Sequence, residues 1–426
     1  MEQIRVGIFG CNRGNSLMRN ILLNGGHVVA ICDKEEKWRN KALETLGEKK
    51  PEGIYDNFDE FINHPGLQAV VLANYFHEHA AYAIRCLEKN IHVMTECTSN
   101  STMAEGVALV RAAEKSDVIF MLAENYPYMK FNQEMRRVYR GGTLGKVLFA
   151  EGEYNHPGPG NSESTVWSLK PTSDHWRNFL PATYYITHSL APLMFITGST
   201  PRRVTAFPVF NQPEDDPSKF QSSFCADRAA IVSILNDDDS VFRVTGCASF
   251  GAHGNAYRIC ATKGQIENVR GTGGKIMLRY NEWDKPEGME ATNFYMPEWP
   301  EDKREMIENA GHGGGDFFTA YEFLSCIREG RKHEFNVYFA TTMASVAIQA
   351  HRSVLSGGQP YDIPDFRLEE DRQSFEDDDE TPFYGSDGSK PSIPCCSRIN
   401  YRPPVGGHKT YLDLIGMDDP ELVEHK

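Results

Sequence analysis

Ile4-Arg5-Val6-Gly7-Ile8-Phe9-Gly10-Cys11-Asn12-Arg13-Gly14 is the stretch that decides the fold of this chain. Ile4 to Phe9 is an apolar run of strand length, stopped by a glycine turn. Ser16 to Leu23 has helical period, and Asn24-Gly25-Gly26 closes it. Val28 to Cys32 is a second strand, ending at Asp33. A strand, a glycine turn, a helix and a strand ending in an acid form the βαβ unit that binds dinucleotides. Glycine lets the backbone approach a pyrophosphate, and the helix N-terminus supplies N–H donors and the positive end of its dipole. Asp33 accepts hydrogen bonds from a ribose diol and repels a 2′-phosphate, so the expected cofactor is NAD rather than NADP. The strict G-x-G-x-x-G pattern is not met: Asn12 and Asn15 stand where the second and third glycines would be. Gly14 and Arg13 compensate, and Asn tolerates left-handed geometry. Gly10, Asn12, Arg13, Gly14 and Asp33 are therefore the first candidate cofactor contacts.

The alternation continues outward from this unit. Lys37–Leu46, Glu78–Lys89 and Thr102–Lys115 read as helices, and Ala69–Leu72, His92–Thr95 and Val118–Leu122 as strands. Such alternation predicts a doubly wound parallel sheet, with ligands at the carboxyl ends of its strands. Asn74, His79, Glu96 and Asn125 lie at or just past those ends and join the cofactor candidates; His79 also reads as a helix-start residue near a turn. After Asn125 the pattern changes. Phe131–Arg140 is a helix and Lys146–Asn155 a long strand; Ala182–Thr197 is a helix. Six strand candidates then follow between Arg203 and Tyr280, and two helices, Phe317–Glu329 and Thr341–Leu355. The expected architecture is α/β: an N-terminal Rossmann domain over residues 1–124, then an α+β substrate and oligomerisation domain over 125–366. That second domain carries a large, mostly antiparallel open sheet. Residues 367–426 form an acidic, Pro-rich arm, extended against the body or a neighbouring subunit, in which Glu376–Glu380 reads as a solvated loop.

Composition narrows the function. The chain has 426 residues, 40% hydrophobic and 24% charged, with a net charge of −15. That balance gives nothing to attract a phosphate backbone or an anionic membrane. No apolar run approaches membrane length, and the N-terminus enters a strand directly, without a signal-like segment. Ten cysteines are present. Cys11, Cys32, Cys86 and Cys260 lie in apolar surroundings. Adjacent Cys395 and Cys396 suit neither an ordinary disulfide nor a zinc site of the usual spacing. The expectation is a reduced, cytoplasmic protein without a metal site. Within the helix over Ala182–Thr197, Tyr185 and His188 stand three apart on one face. They place a phenol and an imidazole together, a pair able to move protons near neutral pH; buried core residues are the plainer reading.

The dinucleotide unit, His92-Val93-Met94-Thr95-Glu96-Cys97-Thr98 at a strand end, Ala123-Glu124-Asn125, and the following sheet domain together resemble the glucose–fructose oxidoreductase / inositol dehydrogenase / MocA-like family, over residues 4–366. Members usually carry Glu-Lys-Pro where Glu96, Cys97 and Thr98 stand, and often an Asp where Tyr184 stands. The runs 124–130, 151–156, 185–192, 312–317, 336–338 and 364–366 resemble the branch holding the NAD-dependent glycosidases of family 109. That resemblance implies Glu96, Tyr154, Tyr185 and His188 as catalytic residues. It implies transient oxidation at sugar C3, loss of the C2 proton, elimination at C1, water addition and hydride return. His156, Trp176 and Arg177, in the loop between the two tyrosines, and His312, before three glycines, are candidate sugar contacts; Trp176 reads equally as packing and His312 as a turn residue. Two alternatives stay open: a sugar or glycoside 3-dehydrogenase releasing its keto product, and a dinucleotide-binding sensor without turnover. A glycoside or sugar is the expected partner, and the open sheet face suggests a homo-oligomer, dimer or tetramer.

Overall fold

A computed structural model describes residues 3–158 and 169–417. The first half is built from β1 (Arg5–Phe9), α1 (Cys11–Leu23), β2 (His27–Cys32), α2 (Glu36–Leu46), β3 (Gly53–Tyr55), α3 (Phe58–Phe61), β4 (Ala69–Leu72), α4 (His79–Glu88), β5 (His92–Thr95), α5 (Met103–Glu114) and β6 (Phe120–Leu122). Its six strands are ordered β3-β2-β1-β4-β5-β6, and every pair is parallel. Helices cover both faces, which is why β4 is Ala-Val-Val-Leu with no polar alternation and every residue buried. The chain leaves β1 toward β3 and returns to β4 on the other side, so a crevice opens at the carboxyl ends of β1 and β4. Thr102 caps α5 in a reciprocal capping box with Glu105.

Helix α1 begins at Cys11, earlier than the pattern of apolar residues indicates. Gly10 makes the turn by itself, at φ 87°. Asn12, Arg13 and Gly14 therefore lie in the first helical turn rather than in a loop. A Cβ on Gly10 would stand 2.4 Å from the Ala73 carbonyl oxygen. Gly10→Ala should thus combine a left-handed strain of about 1–2 kcal/mol with a backbone clash. The expected result is a lower melting temperature and NADH affinity weakened at least about tenfold, roughly 1.4 kcal/mol, read by fluorescence titration; unaltered affinity would contradict it.

The second half continues with α6 (Lys130–Arg140), β7 (Val147–Asn155), α7 (Thr187–Thr197), β8 (Pro201–Phe210), β9 (Asp227–Asn236), β10 (Val241–Ala248), β11 (Gly254–Ala261), β12 (Gly264–Asn268), β13 (Ile276–Tyr280), β14 (Thr292–Tyr295), α8 (Arg304–Glu308), α9 (Gly315–Glu329), α10 (Val337–Leu355), β15 (Tyr361–Asp362), α11 (Glu369–Gln373) and α12 (Val405–Ile415). Nine strands form one sheet ordered β14-β13-β12-β11-β7-β10-β9-β8-β15, antiparallel except for β7 beside β10. Strand β9 shows why one face is covered. Ala230, Val232 and Ile234 are buried while Ile231 and Leu235 alternate outward. Helix α7 lies on the covered face across β7 and β10, and α10 packs on β8 and reaches α5 and β6 of the first sheet. Helix α9 packs on α1. Helix α10 thus bridges the two sheets, while α9 holds the second half of the chain to α1.

Two expectations change. The helix expected over 182–197 starts only at Thr187; residues 182–186 form turns. The reason is close approach: a Cβ on Gly246 of β10 would stand 2.3 Å from the Ala182 carbonyl oxygen, so this segment lies directly on the sheet. The arm is not simply extended, and its acidic run is not simply solvated. Glu376 pairs with Arg111 at 2.8 Å, and Asp378 accepts from Arg352 at 2.7 Å. Farther on, α12 buries Tyr411 and Leu412 against Phe220. Residues 418–426, the end of the expected arm, lie outside the described residues. No helix among the described residues is long and apolar enough to cross a membrane.

Candidate active site

The cofactor crevice is built from backbone and two buried acids. The Cys11 N–H donates to Asp33 Oδ2 at 2.7 Å and the Glu35 N–H to Oδ1 at 2.9 Å, which fixes the carboxylate at the end of β2. Burial pushes the Asp33 carboxyl up, against these two backbone hydrogen bonds. Two observations fit a dinucleotide here. Gly10 leaves a cradle that a Cβ would fill, and the side-chain carbonyl oxygens of Asn74 and Asn125 are buried at the strand ends without a hydrogen-bond partner. Gly14 lets α1 settle on β1, since a Cβ there would stand 2.8 Å from Ile8 Cγ2. His79 is buried at the start of α4, its Nδ1 2.7 Å from the Thr98 carbonyl oxygen. Burial lowers its pKa, so it stands as a neutral ring.

Arg13 does not stand bare in the crevice. Its Nε donates to Glu96 at 2.5 Å, and its two terminal nitrogens donate to Asp316 at 3.0 and 2.9 Å. Asp316, at the start of α9, is fully buried and also accepts from Ser16 (2.9 Å) and Asn125 (2.8 Å), with His312 Nδ1 at 3.0 Å. Burial alone would raise this carboxyl; His312 and Arg13 outweigh it and hold it well below the usual carboxylate range. Asp316 thereby ties α1, the end of β6 and the glycine turn at 311–315 into one joint.

A cavity of about 560 Å³ lies beyond Arg13 and Glu96, a size ordinary for a small-molecule site. On its wall His188 is held from two sides. Its Nδ1 lies 2.9 Å from Glu124 Oε1, and its ring stacks on Tyr126 with centroids 4.2 Å apart. Tyr257 donates to the His188 carbonyl at 2.6 Å and pins the start of α7. Glu124 is completely buried. Desolvation opposes its charge, yet His188 and the thiol of Cys97 keep its pKa below the ordinary value. An ionised carboxylate only accepts, so Nδ1 of His188 carries a proton toward Glu124, and in the neutral ring Nε2 keeps its lone pair. Cys97, where the resemblance leads one to expect a lysine, is no base itself. Burial first, and then the charges of Glu124 and Glu96, push its thiol well up, and Sγ lies 3.0 Å from Glu124 Oε2.

Tyr154 closes the other side of the imidazole, edge-on with centroids 5.1 Å apart. Burial raises its pKa to about 12, although a hydrogen bond from Tyr126 draws it back; at neutral pH it is a proton donor. Tyr185 lies just before α7 with its ring 5.6 Å from that of His188, and its hydroxyl accepts from Arg177 at 3.4 Å. His156 is exposed, stacked beside Tyr154, with Nδ1 3.1 Å from that of His253. Trp176 lines the cavity with its ring already engaged by Phe76 (5.2 Å) and the Arg177 guanidinium (4.3 Å). His312 also reaches the lining. The site thus brings Glu96, Tyr154, His156, Trp176, Arg177, Tyr185, His188 and His312 to one cavity. Sequence reasoning missed Glu124 and Tyr126. Their signal was present in Glu124-Asn125-Tyr126, immediately after β6 at a strand end.

The parallel sheet, the glycine turn and the strand-end groups define an NAD-binding enzyme of the oxidoreductase fold class. Residues 4–124 match the oxidoreductase family, NAD-binding Rossmann fold, and residues 253–370 match the glycosyl hydrolase 109 C-terminal domain. The chain therefore joins a GFO/IDH/MocA Rossmann domain to a glycosyl hydrolase 109 C-terminal domain. Among curated proteins it is similar to an alpha-N-acetylgalactosaminidase of Shewanella oneidensis, 23% identical over 401 residues, covering 86% of this chain and 85% of that protein. A glycosyl hydrolase family 109 protein of Streptomyces filamentosus is 25% identical, covering 85% of this chain and 77% of that one. Among solved structures, levoglucosan dehydrogenase in complex with NADH and levoglucosan superposes with a TM-score of 0.70 at 18% identity, covering 85% of this chain and 100% of that one.

Proposed function

We propose that this chain is an NAD-dependent glycoside hydrolase acting by transient oxidation at sugar C3. The observation that supports this most is the Glu124–His188 pair, set between Tyr154 and Tyr185 on a cavity that begins at the cofactor crevice. Gly10, Asp33, Asn74 and Asn125 would hold NAD, which when bound supplies reversible hydride acceptance. His188 Nε2 takes the proton from the C3 hydroxyl, with Tyr185 beside it. His188 then releases that proton to solvent through the cavity; the ketone at C3 acidifies the C2 proton, and the freed Nε2 removes it as the C1 substituent leaves, both protons being returned in the reverse steps after water adds. Tyr154 gives its proton to that leaving group and then assists the incoming water. Glu96, fixed by Arg13 and by the Cys97 N–H at 3.1 Å, positions the sugar. The bond broken is that to the C1 substituent and the bond made is to water, so the cycle needs no net oxidant.

The test is a panel of aryl glycosides and free sugars, with and without added NAD⁺, following NADH absorbance and aglycone release. Aglycone release without accumulated NADH is expected. NADH accumulating without release makes the enzyme a sugar dehydrogenase, and neither signal makes it a sensor. The uncovered face of the nine-stranded sheet, where Leu148, Phe207 and Leu235 are 55%, 59% and 41% exposed, fits contact with a second copy. Phe207→Glu should then shift the protein to a smaller species in light scattering; an unchanged mass would remove that assignment.

A further inference from the structure

Outside the proton-transfer groups, a second chemical cluster stands on the far wall of the cavity. Cys225 and Asp227 are two apart at the start of β9, and both line the cavity. The arm brings Cys396 against them. The two Sγ atoms and a carboxylate oxygen of Asp227 all lie within 4.8 Å of one another. Ser397 orients the carboxylate: its N–H donates to Asp227 Oδ2 at 2.7 Å and its hydroxyl to Oδ1 at 2.6 Å. A carboxylate has about four acceptor positions, so each oxygen keeps one to offer. Cys395 is turned away, its thiol donating to the Phe224 carbonyl at 3.3 Å. Phe179, Phe210, Phe224 and Tyr401 pack around the two cysteines.

We propose that Cys225, Asp227 and Cys396 form a binding site for a thiophilic divalent cation of the zinc class, with its fourth position facing the substrate cavity. Two thiolates and a carboxylate suit zinc, and a tetrahedral ion with Zn–S of ~2.3 Å asks for thiolates about 3.8 Å apart, within the 4.8 Å that contains all three ligand atoms. Ser397 is the outer-shell group that such ligands need. Bound there, the ion joins the arm to the body beside the cavity mouth. The ligands lie 171 residues apart, so the sequence spacing of Cys395 and Cys396 could not show the site.

The experiment uses the full chain, metal-stripped and kept reduced. Titration with Co²⁺ should give thiolate-to-metal charge-transfer absorption at one equivalent, and excess Zn²⁺ should raise the melting temperature. Zn²⁺ should also protect Cys225 and Cys396, but not Cys260, from iodoacetamide, as mapped by peptide mass spectrometry; this needs no variant. Ser397→Ala should weaken binding about 10–100-fold, and Cys225→Ser/Cys396→Ser should abolish the absorption. The proposal is overturned if Co²⁺ gives no band while both thiols titrate as free. It is equally overturned if alkylation is unaffected by Zn²⁺, or if the band survives in the double variant.

Discussion

Glu124→Gln should lower kcat by about 10²–10⁴-fold, the range that a positioned acid–base group contributes, while NADH affinity stays within about threefold of the parent, under 0.7 kcal/mol. The substitution keeps size and shape. What changes is the hydrogen bond: a carboxylate accepts from Nδ1 of His188, whereas an amide can donate to it. The imidazole then places its proton on Nε2, facing the cavity, and loses the lone pair that the reaction needs. His188→Ala should fall by a similar factor. Because the two residues act as one unit, the double variant should be no slower than His188→Ala alone. The pH–rate profile separates this from mere loss of packing: the limb that reports the base should disappear in Glu124→Gln. A variant retaining the parent rate within threefold would remove Glu124 from the mechanism and leave Cys97 without its partner.

What the sequence showed and what it hid follow from where the interactions run. The first sheet was legible because parallel strands are buried on both faces and read as short unbroken apolar runs. Strand β3 escaped, since Gly53-Ile54-Tyr55 is three residues long and exposes Ile54. Strand β15 is shorter still, at two residues, and β14 has no buried residue among its four, so neither reads as an apolar run. In the site, Tyr185 and His188 could be paired because they are neighbours along the chain. Glu124 could not be paired with His188 by any spacing, for they stand 64 residues apart. A glutamate after a strand also reads as a surface charge. Only the fold shows that it is buried and has a histidine to justify its charge. Arg13 is the converse case: it was assigned from the cofactor motif, yet its guanidinium is spent on Glu96 and on Asp316, 303 residues away. Cys97 ceases to be a gap once Glu124 is seen, because its thiol occupies the oxygen that His188 leaves free.

Asp316→Asn should destabilise the protein by about 3–5 kcal/mol, the cost of breaking a buried ion pair from one side. No part of its carboxylate reaches solvent, and Arg13, Ser16, Asn125 and His312 all converge on it. An amide can accept on one atom only, so it leaves the Arg13 fork half-satisfied and turns N–H groups toward other donors. The sign of the pH dependence follows from the depressed carboxyl. A group whose folded pKa lies below its unfolded value contributes stability that is complete above the unfolded value, ~3.9 for Asp, and is lost as pH falls below it. Denaturant melts of parent and variant should therefore differ by a constant amount from pH 8 to about pH 5 and converge below about pH 4. A gap that widened in acid would show that Asp316 is protonated in the native state. Because the same carboxylate holds α1 to α9, the variant should also weaken NADH binding, and its loss of affinity should track the loss of the Arg13–Glu96 pair: Arg13→Met should reproduce it, while adding Arg13→Met to Asp316→Asn should change the affinity little further.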